Sequence, residues 1–284
     1  MKKMSNKKDL LGDRMKNYEN VTRTYLTRRM PVIIRIDGKA FHSFTRGFKK
    51  PFDEVLVKSM QDTMKYLCEN IQGCVLGYTQ SDEITLVLVD YQSRESDAWF
   101  DNNIQKMVSV SASMATISFY HNFRQNMINW TNSNVGEIVD GDENRLKYSK
   151  TLLDKTNGYA MFDSRVFTIP KEEVVNCLIW RQQDATRNSI LSVGYANFST
   201  NELHGKKCDA IQDMLFVEKG INWNDYPTTL KRGSCCIKKP CVIAKGIDLQ
   251  SGVEEEIIRN KWVIDNEIPI FTQDKDYVNK LVMI

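Results

Sequence analysis

Short β-branched runs alternate with longer stretches of helical period along the first 170 residues, and their order is the most informative pattern in the chain. Residues 32–36 (Val-Ile-Ile-Arg-Ile) form an almost unbroken apolar run that stops at Asp37-Gly38, which predicts a buried strand feeding a tight turn. After a loop containing Gly47 and Pro51, residues 54–70 set Leu56, Met60, Met64 and Leu67 on one face of an amphipathic helix. Residues 75–79 and 84–89 are again β-branched and apolar, and the polar quartet Gln80, Ser81, Asp82 and Glu83 between them predicts a hairpin turn. Over 103–123, Ile104, Met107, Val108, Ser111 and Met114 recur at three- and four-residue steps, a second helix whose small residues suit close packing. Residues 129–157 are polar and poorly periodic and read as a long surface loop, after which 160–162 and 166–169 have strand character.

The resulting β-α-β-β-α-β order predicts an α+β, ferredoxin-like (split β-α-β) region, in which the third strand lies antiparallel between the first two. The first strand then ends on the sheet edge that carries the hairpin turn, so Asp37 and Asp82, distant in sequence, become neighbours. We place this region, with an N-terminal extension, at residues 1–170. Pro170 closes it, and 171–191 read as a helix with Val174, Val175, Leu178 and Ile179 inward and a polar stripe of Arg181, Asp184 and Asn188. Beyond residue 203 a helical pattern through Ile211 and Met214 precedes the pairs Lys231-Arg232 and Lys238-Lys239 and further strands. Residues 171–284 are read as helices and strands packed on the first region, not as an independent domain.

Composition narrows the function classes only modestly. Lys and Arg exceed Asp and Glu by 39 to 36, so any RNA-binding face must arise from local clustering, not from overall charge. Seven cysteines with no Cys-x-x-Cys pair argue against a zinc site, and their odd number, with no signal-peptide pattern in the first nine residues, leads us to expect reduced thiols in a cytoplasmic protein. No apolar run approaches the roughly 20 residues a membrane span needs.

The candidate chemistry centres on the two acids. Carboxylates on one sheet edge can hold two Mg²⁺ ions about 3.5–4 Å apart, one activating an attacking oxygen and one stabilising the leaving group. Gly38 allows the backbone to approach a phosphate and offers its carbonyl as a ligand. Alternatively, Asp37-Gly38 is a plain turn and Asp82 a turn acid. Lys39, His42, Lys49 and Lys50 can contact a triphosphate or simply be solvated. Ser81 can bind phosphate or hold the hairpin, and Glu83 is a third acidic ligand or an outward strand residue. Lys106 is expected at the same edge, as a phosphate contact or an ordinary surface lysine. Arg181, Gln182, Asp184, Arg187 and Asn188 can grip phosphate and read a base edge, or form a solvated helix face.

Four stretches taken together, Arg35-Ile-Asp-Gly-Lys-Ala-Phe-His42, Tyr78-Thr-Gln-Ser-Asp-Glu83, Phe162-Asp-Ser-Arg165 and Trp180-Arg-Gln-Gln-Asp184, resemble the tRNA-His guanylyltransferase family, over about residues 18–239. The resemblance implies a polymerase-like palm that binds two Mg²⁺ and adds nucleotides to the 5′ end of tRNA. It assigns Asp37 and Asp82 as metal carboxylates and Gly38 as a backbone ligand, and we place Glu83 with the two acids as a candidate catalytic residue. Asp37, Gly38, Lys39, Ala40, Phe41, His42, Ser81 and Asp82 would hold the nucleotide, with Lys50 and Lys106 matching basic positions near the triphosphate. Arg181, Asp184, Arg187 and Asn188 would face tRNA or a second nucleotide. The implied reaction uses ATP to adenylylate the 5′ phosphate, after which the 3′ hydroxyl of GTP or another nucleoside triphosphate displaces AMP. Family members are expected to be tetramers.

Two departures qualify the resemblance. Where eukaryotic members carry His-Ile-Asn-Asn-Leu-Tyr-Asn, this chain has Ala185-Thr-Arg-Asn-Ser-Ile190, as in the bacterial and archaeal guanylyltransferase-like branch. Templated repair of 5′-truncated tRNA is therefore expected over the addition of a single G to tRNA-His. A basic run expected before Lys106 is replaced by Asp101-Asn102-Asn103, which shifts triphosphate binding onto residues such as Arg181 or Arg187. The rival readings are a dedicated guanylyltransferase, a palm-type nucleotide cyclase, and a noncatalytic tRNA-binding module.

Overall fold

The computed structural model describes residues 10–158, 160–247 and 254–283. Helix α1 (Leu10–Asn20) buries none of its residues. Strand β1 (Val32–Gly38) leads through the single turn α2 (Phe41–Phe44) to α3 (Glu54–Asn70), followed by the hairpin β2 (Cys74–Gln80) and β3 (Glu83–Leu88). Then come α4 (Ile104–Ser133), α5 (Val135–Val139), α6 (Glu143–Thr156) and β4 (Phe162–Thr168). The remaining elements are α7 (Glu173–Asn197), α8 (Thr200–Leu203), α9 (Cys208–Lys219), α10 (Thr228–Arg232), β5 (Ser234–Ile247), β6 (Glu254–Asp265) and α11 (Asp276–Val282).

Six strands form one sheet in the order β4-β1-β3-β2-β5-β6, every neighbouring pair antiparallel. The first four strands have the ferredoxin-like order the sequence predicts, with β3 between β1 and β2, and the sheet is palm-like. β5 adds to the outer side of β2, so the C-terminal third extends the same sheet.

The apolar run of β1, broken only at Arg35, follows from burial on both faces. On one face, Ile34, Ile36, Ile84 and Leu86 meet Met60, Met64 and Leu67 of α3 and Met107, Ala115 and Phe119 of α4. On the other, Ile33, Leu76 and Val87 meet Val174, Val175 and Leu178 of α7 and Val278 and Val282 of α11. A third cluster joins the end of α7 to α9 through Ile190, Val193, Ile211 and Leu215. Gly77 of β2 lies where α3 presses closest: a Cβ there would sit 2.5 Å from Cys68 Sγ and 2.8 Å from Met64 Cγ. Gly77→Ala is expected to cost about 1–3 kcal/mol by overpacking, seen as a lower urea midpoint at unchanged slope.

Residues 129–157 are not a loop. α4 runs on to Ser133, burying Phe123, Met127 and Trp130, and α6 buries Tyr148, Leu152 and Thr156 at four-residue intervals. That line is one side chain wide, and the helix's other two leucines, Leu146 and Leu153, are exposed, so no broad apolar face marks the helix in the sequence. Asp142 caps it by accepting a hydrogen bond from Arg145 N at 3.0 Å. The hairpin turn is also tighter than the polar quartet predicts: Gln80 and Glu83 pair with each other, leaving Ser81 and Asp82 as the turn, with Ser81 at φ 55°. No helix among the described residues is long and apolar enough to cross a membrane.

Candidate active site

β1 ends beside the β2–β3 turn, and Gly38 N donates to Asp82 O at 3.1 Å. Asp37 is paired across the sheet with Glu83 on one side and Asp163 of β4 on the other. Directly opposed residues share a face, so three acids lie in a row on the α7 side of the sheet, with Asp82 in the turn at its end. Burial, then the charges of Glu83 and Asp163, push the Asp37 carboxyl above its ordinary value, against the pull of Arg165 and Arg35. Asp82 is raised as well, first by burial and further by Asp37 and Glu83, although Ser81 Oγ donates to its Oδ1 at 3.0 Å. The edge is thus an acidic pocket that a cation would relieve. Among the described residues there is no group of three or more His, Cys, Asp or Glu arranged to hold a metal. The donors available are the Asp37 and Asp82 carboxylates and the Gly38 carbonyl, an oxygen set that fits Mg²⁺, which keeps waters and phosphate oxygens in its shell.

Glu83 is differently employed from its neighbours. Its Oε1 accepts from Arg181 Nε at 2.6 Å, and its Oε2 accepts from Arg181 Nη2 at 2.8 Å and Arg35 Nη2 at 2.9 Å. Both guanidinium groups pack on the Trp180 ring, 4.4 and 5.0 Å from its centroid. Arg181 also donates to Asp184 Oδ2 at 2.8 Å, and Arg187 pairs with Asp184. The Trp180-Arg181 pair therefore locks α7 to the start of β3. Asp184 and Asn188 line, with Asp37, Asp82 and Arg181, a recess of about 150 Å³ over the acids.

The loop after β1 faces the acids from the other side. Ala40 takes a left-handed conformation (φ 52°, ψ 39°). Within the described residues, the amides of Ala40, Phe41 and His42 donate to no protein acceptor. Lys39 and His42 are exposed, whereas the Phe41 ring is buried among Phe44, Phe119 and Phe162. Phe41 thus offers a ligand only its backbone. Its ring also explains Gly38: a Cβ there would lie 2.2 Å from Phe41 Cδ2. Lys50 and Ser81 stand at the mouth of a larger cavity, about 230 Å³, with Phe48, Phe52, Leu56 and Met60 as apolar wall.

Lys106 is not brought to this edge. β3 starts at the acids and carries the chain away from them, so the helix that follows begins at the opposite end of the sheet. There Ile104 N donates to Thr24 O, and Lys106 N is capped by Asn103 Oδ1 at 3.0 Å. α4 reaches the acid-bearing end of β4 only at Thr116, whose Oγ1 accepts from Phe162 N. The same strand directions that join Asp37 to Asp82 exclude Lys106.

Other residues at the site escape the sequence pattern. Asp53 caps α3 through Leu56 N (2.9 Å), takes Lys49 N (3.0 Å), and receives the Tyr148 hydroxyl (2.6 Å) from α6. Lys155 of α6 donates to Ser43 O at 3.1 Å. α6 therefore buttresses the loop that carries Lys39 to Lys50. The capping signal of Asp53 is readable before an amphipathic run, but its tyrosine partner belongs to the helix hidden in polar sequence. Asp163 had a signal, since it lies in the Phe162-Asp-Ser-Arg165 stretch.

A palm-like antiparallel sheet, with carboxylates on its hairpin edge and a loop of open amides and lysines beside them, defines the protein as a nucleotidyltransferase of the palm type. The sequence model of the tRNAHis guanylyltransferase (Thg1) family matches residues 12–170, and the chain belongs to that family. It is similar to a bacterial tRNA(His) guanylyltransferase (Thg1)-like protein solved in complex with ATP, at 40% identity and a TM-score of 0.76 over 96% of this chain and 98% of that one. A structure of a bacterial Thg1-like protein in complex with GTP gives 38% identity and a TM-score of 0.74 over 97% and 100%. The tRNA(His) guanylyltransferase of Schizosaccharomyces pombe is 28% identical over 239 residues, 80% of this chain and 79% of its own.

Proposed function

We propose that this protein extends the 5′ end of tRNA in the 3′-to-5′ direction, copying the opposite strand, and so repairs 5′-truncated tRNAs. The observation that carries this reading over single-G addition is the position of Ala185 and Asn188. Both belong to the segment that departs from the eukaryotic pattern, and both line the recess over the acids. The departure therefore falls where a nucleotide or tRNA end is handled. Greater identity to bacterial Thg1-like proteins than to the fission-yeast enzyme supports the same branch.

In this reading the open amides of Ala40, Phe41 and His42, with Lys39, Lys50 and Ser81, bind the triphosphate, and the base enters the cavity beyond Ser81. Asp37, Asp82 and the Gly38 carbonyl would hold Mg²⁺, which when bound supplies charge neutralisation on phosphate and a lowered hydroxyl pKa. The 5′-phosphate oxygen of tRNA attacks the α-phosphorus of ATP and expels pyrophosphate, leaving an adenylylated end. The 3′ hydroxyl of the incoming nucleoside triphosphate then attacks the 5′ phosphorus, loses its proton and expels AMP. Arg181 and Glu83 act as positioning residues, fixing β3 so that Asp82 stays aligned.

The test is to incubate the protein with 5′-truncated, 5′-monophosphorylated tRNAs of several specificities, ATP and all four nucleoside triphosphates. Template-matched extension of tRNAs other than tRNA-His is expected. A single G added to tRNA-His alone would replace this reading with the dedicated guanylyltransferase. Lys50→Ala should raise KM for the added nucleotide about tenfold, the worth of one charge-assisted contact, with a smaller change in kcat.

A further inference from the structure

We infer that Gln61 reads the base of the bound nucleotide, as a fixed hydrogen-bond acceptor for a purine amino group; this rests on the proposed seating of the base in the cavity beyond Ser81. Gln61 lies on α3 and is 6% exposed, a polar side chain in the wall of the cavity beside Leu56 and Met60. Its amide nitrogen is committed to protein acceptors, two of which, Thr229 and Ser234, also line the cavity. Nε2 donates to Asn266 Oδ1 at 2.7 Å, Ser234 Oγ at 3.0 Å and Thr229 Oγ1 at 3.1 Å. Two N–H hydrogens serve three acceptors, so this nitrogen has no capacity left for a ligand.

The carbonyl Oε1 is the atom with which Gln61 can meet the cavity. It is not among the buried polar atoms left without a partner, which in the described residues are Arg35 Nε and Asp90 Oδ1. No protein donor reaches it among the described residues, so it keeps some exposure, and Gln61 lines the cavity. An acceptor held by three anchors loses little freedom when it binds, and it favours a base presenting N–H over one that does not.

The setting suits a purine. Leu56 and Met60 lie within a turn or so of Gln61 on α3, and with Phe52 and Leu230 they give a flat ring apolar contacts in a cavity of about 230 Å³ whose remaining lining, Thr79 and Ser192 among it, is polar. The anchors come from α10, β5 and the segment after β6. Residues beyond the family-matched 12–170 thereby set the orientation of a side chain within it. This gives the C-terminal third a part in nucleotide choice.

The experiment measures Kd, in Mg²⁺, for two pairs that differ by one amino group: ATP against purine riboside triphosphate, and GTP against inosine triphosphate. The full chain and its Gln61→Met and Gln61→Glu variants are compared. In the wild type, at least one amino-bearing nucleotide is expected to bind about fivefold to tenfold more tightly than its partner, the range of one net hydrogen bond. The pair that discriminates identifies adenine or guanine as the base read. Gln61→Met should bring that ratio to one, while Gln61→Glu, which keeps an acceptor, retains a preference. Each ratio is taken on one preparation, so partial loss of folded protein cancels. A ratio of one in both wild-type pairs, or a wild-type ratio in Gln61→Met, overturns the assignment and leaves the proposed function standing. Absence of nucleotide binding to the wild type overturns both.

Discussion

Asp82→Asn is expected to reduce 5′ nucleotide addition by at least about 10³-fold, on the scale of losing a principal electrostatic stabiliser of the transition state, and at the same time to raise the thermal midpoint of the metal-free protein. The two effects have one origin. Asp82 and Asp37 stand at the end of a row of acids, and both carboxyls are raised, chiefly by burial, with Asp37 and Glu83 adding to the rise at Asp82 and Glu83 and Asp163 to that at Asp37. A carboxyl raised in the folded state binds its proton more tightly there than in the unfolded chain. Its favourable contribution is thus full below the ordinary value of 3.8 and is lost as pH rises through the folded-state value. At neutral pH the charged pair opposes folding, and a neutral amide relieves it. Melting in EDTA across pH 4 to 8 should show Asp82→Asn above the wild type at neutral pH and converging with it at the acid end. Near-normal activity in the variant would mean that the reaction centre lies elsewhere. Lost activity with a lowered midpoint would mean that the variant fails by unfolding.

Removing the Glu83 side chain should have the larger effect on stability. Glu83→Ala leaves Arg181 and Arg35, whose side chains are 10% and 16% exposed, without the carboxylate they share. Breaking a buried ion pair from one side costs about 3–5 kcal/mol, because the remaining charge stays desolvated. Asp184 still compensates Arg181 in part, whereas Arg35 already has a buried Nε with no partner. Urea unfolding should place Glu83→Ala well below the wild type, with Glu83→Gln between them. The isosteric Glu83→Gln variant also separates anchoring from ligation. A residue that acts through Arg181 and Arg35 lowers kcat without moving the Mg²⁺ concentration for half-maximal activity. A marked rise in that concentration would restore Glu83 to the metal set.

What the residues determine by themselves is the palm and its acidic edge. The β1 run is apolar at Val32, Ile33, Ile34 and Ile36 because both faces are covered, and Asp37-Gly38 and Ser81-Asp82 mark where the strands stop. Those are local signals, and strand order alone then sets Asp37 beside Asp82. The direction of β3 also suffices to send Lys106 to the far end of the sheet. Only the tertiary structure decided the rest. α6 buries a single line of Tyr148, Leu152 and Thr156, and it becomes the support of the loop after β1 when Tyr148 meets Asp53. Glu83 is an acid of a turn until Arg35 and Arg181 arrive from a strand and a helix distant in sequence, and Gln61 is a polar residue on a helix until three C-terminal side chains take its nitrogen. Periodicity reports how each element meets the core; the pairing of polar groups depends on which elements meet each other, and that is set by packing between segments far apart in the chain.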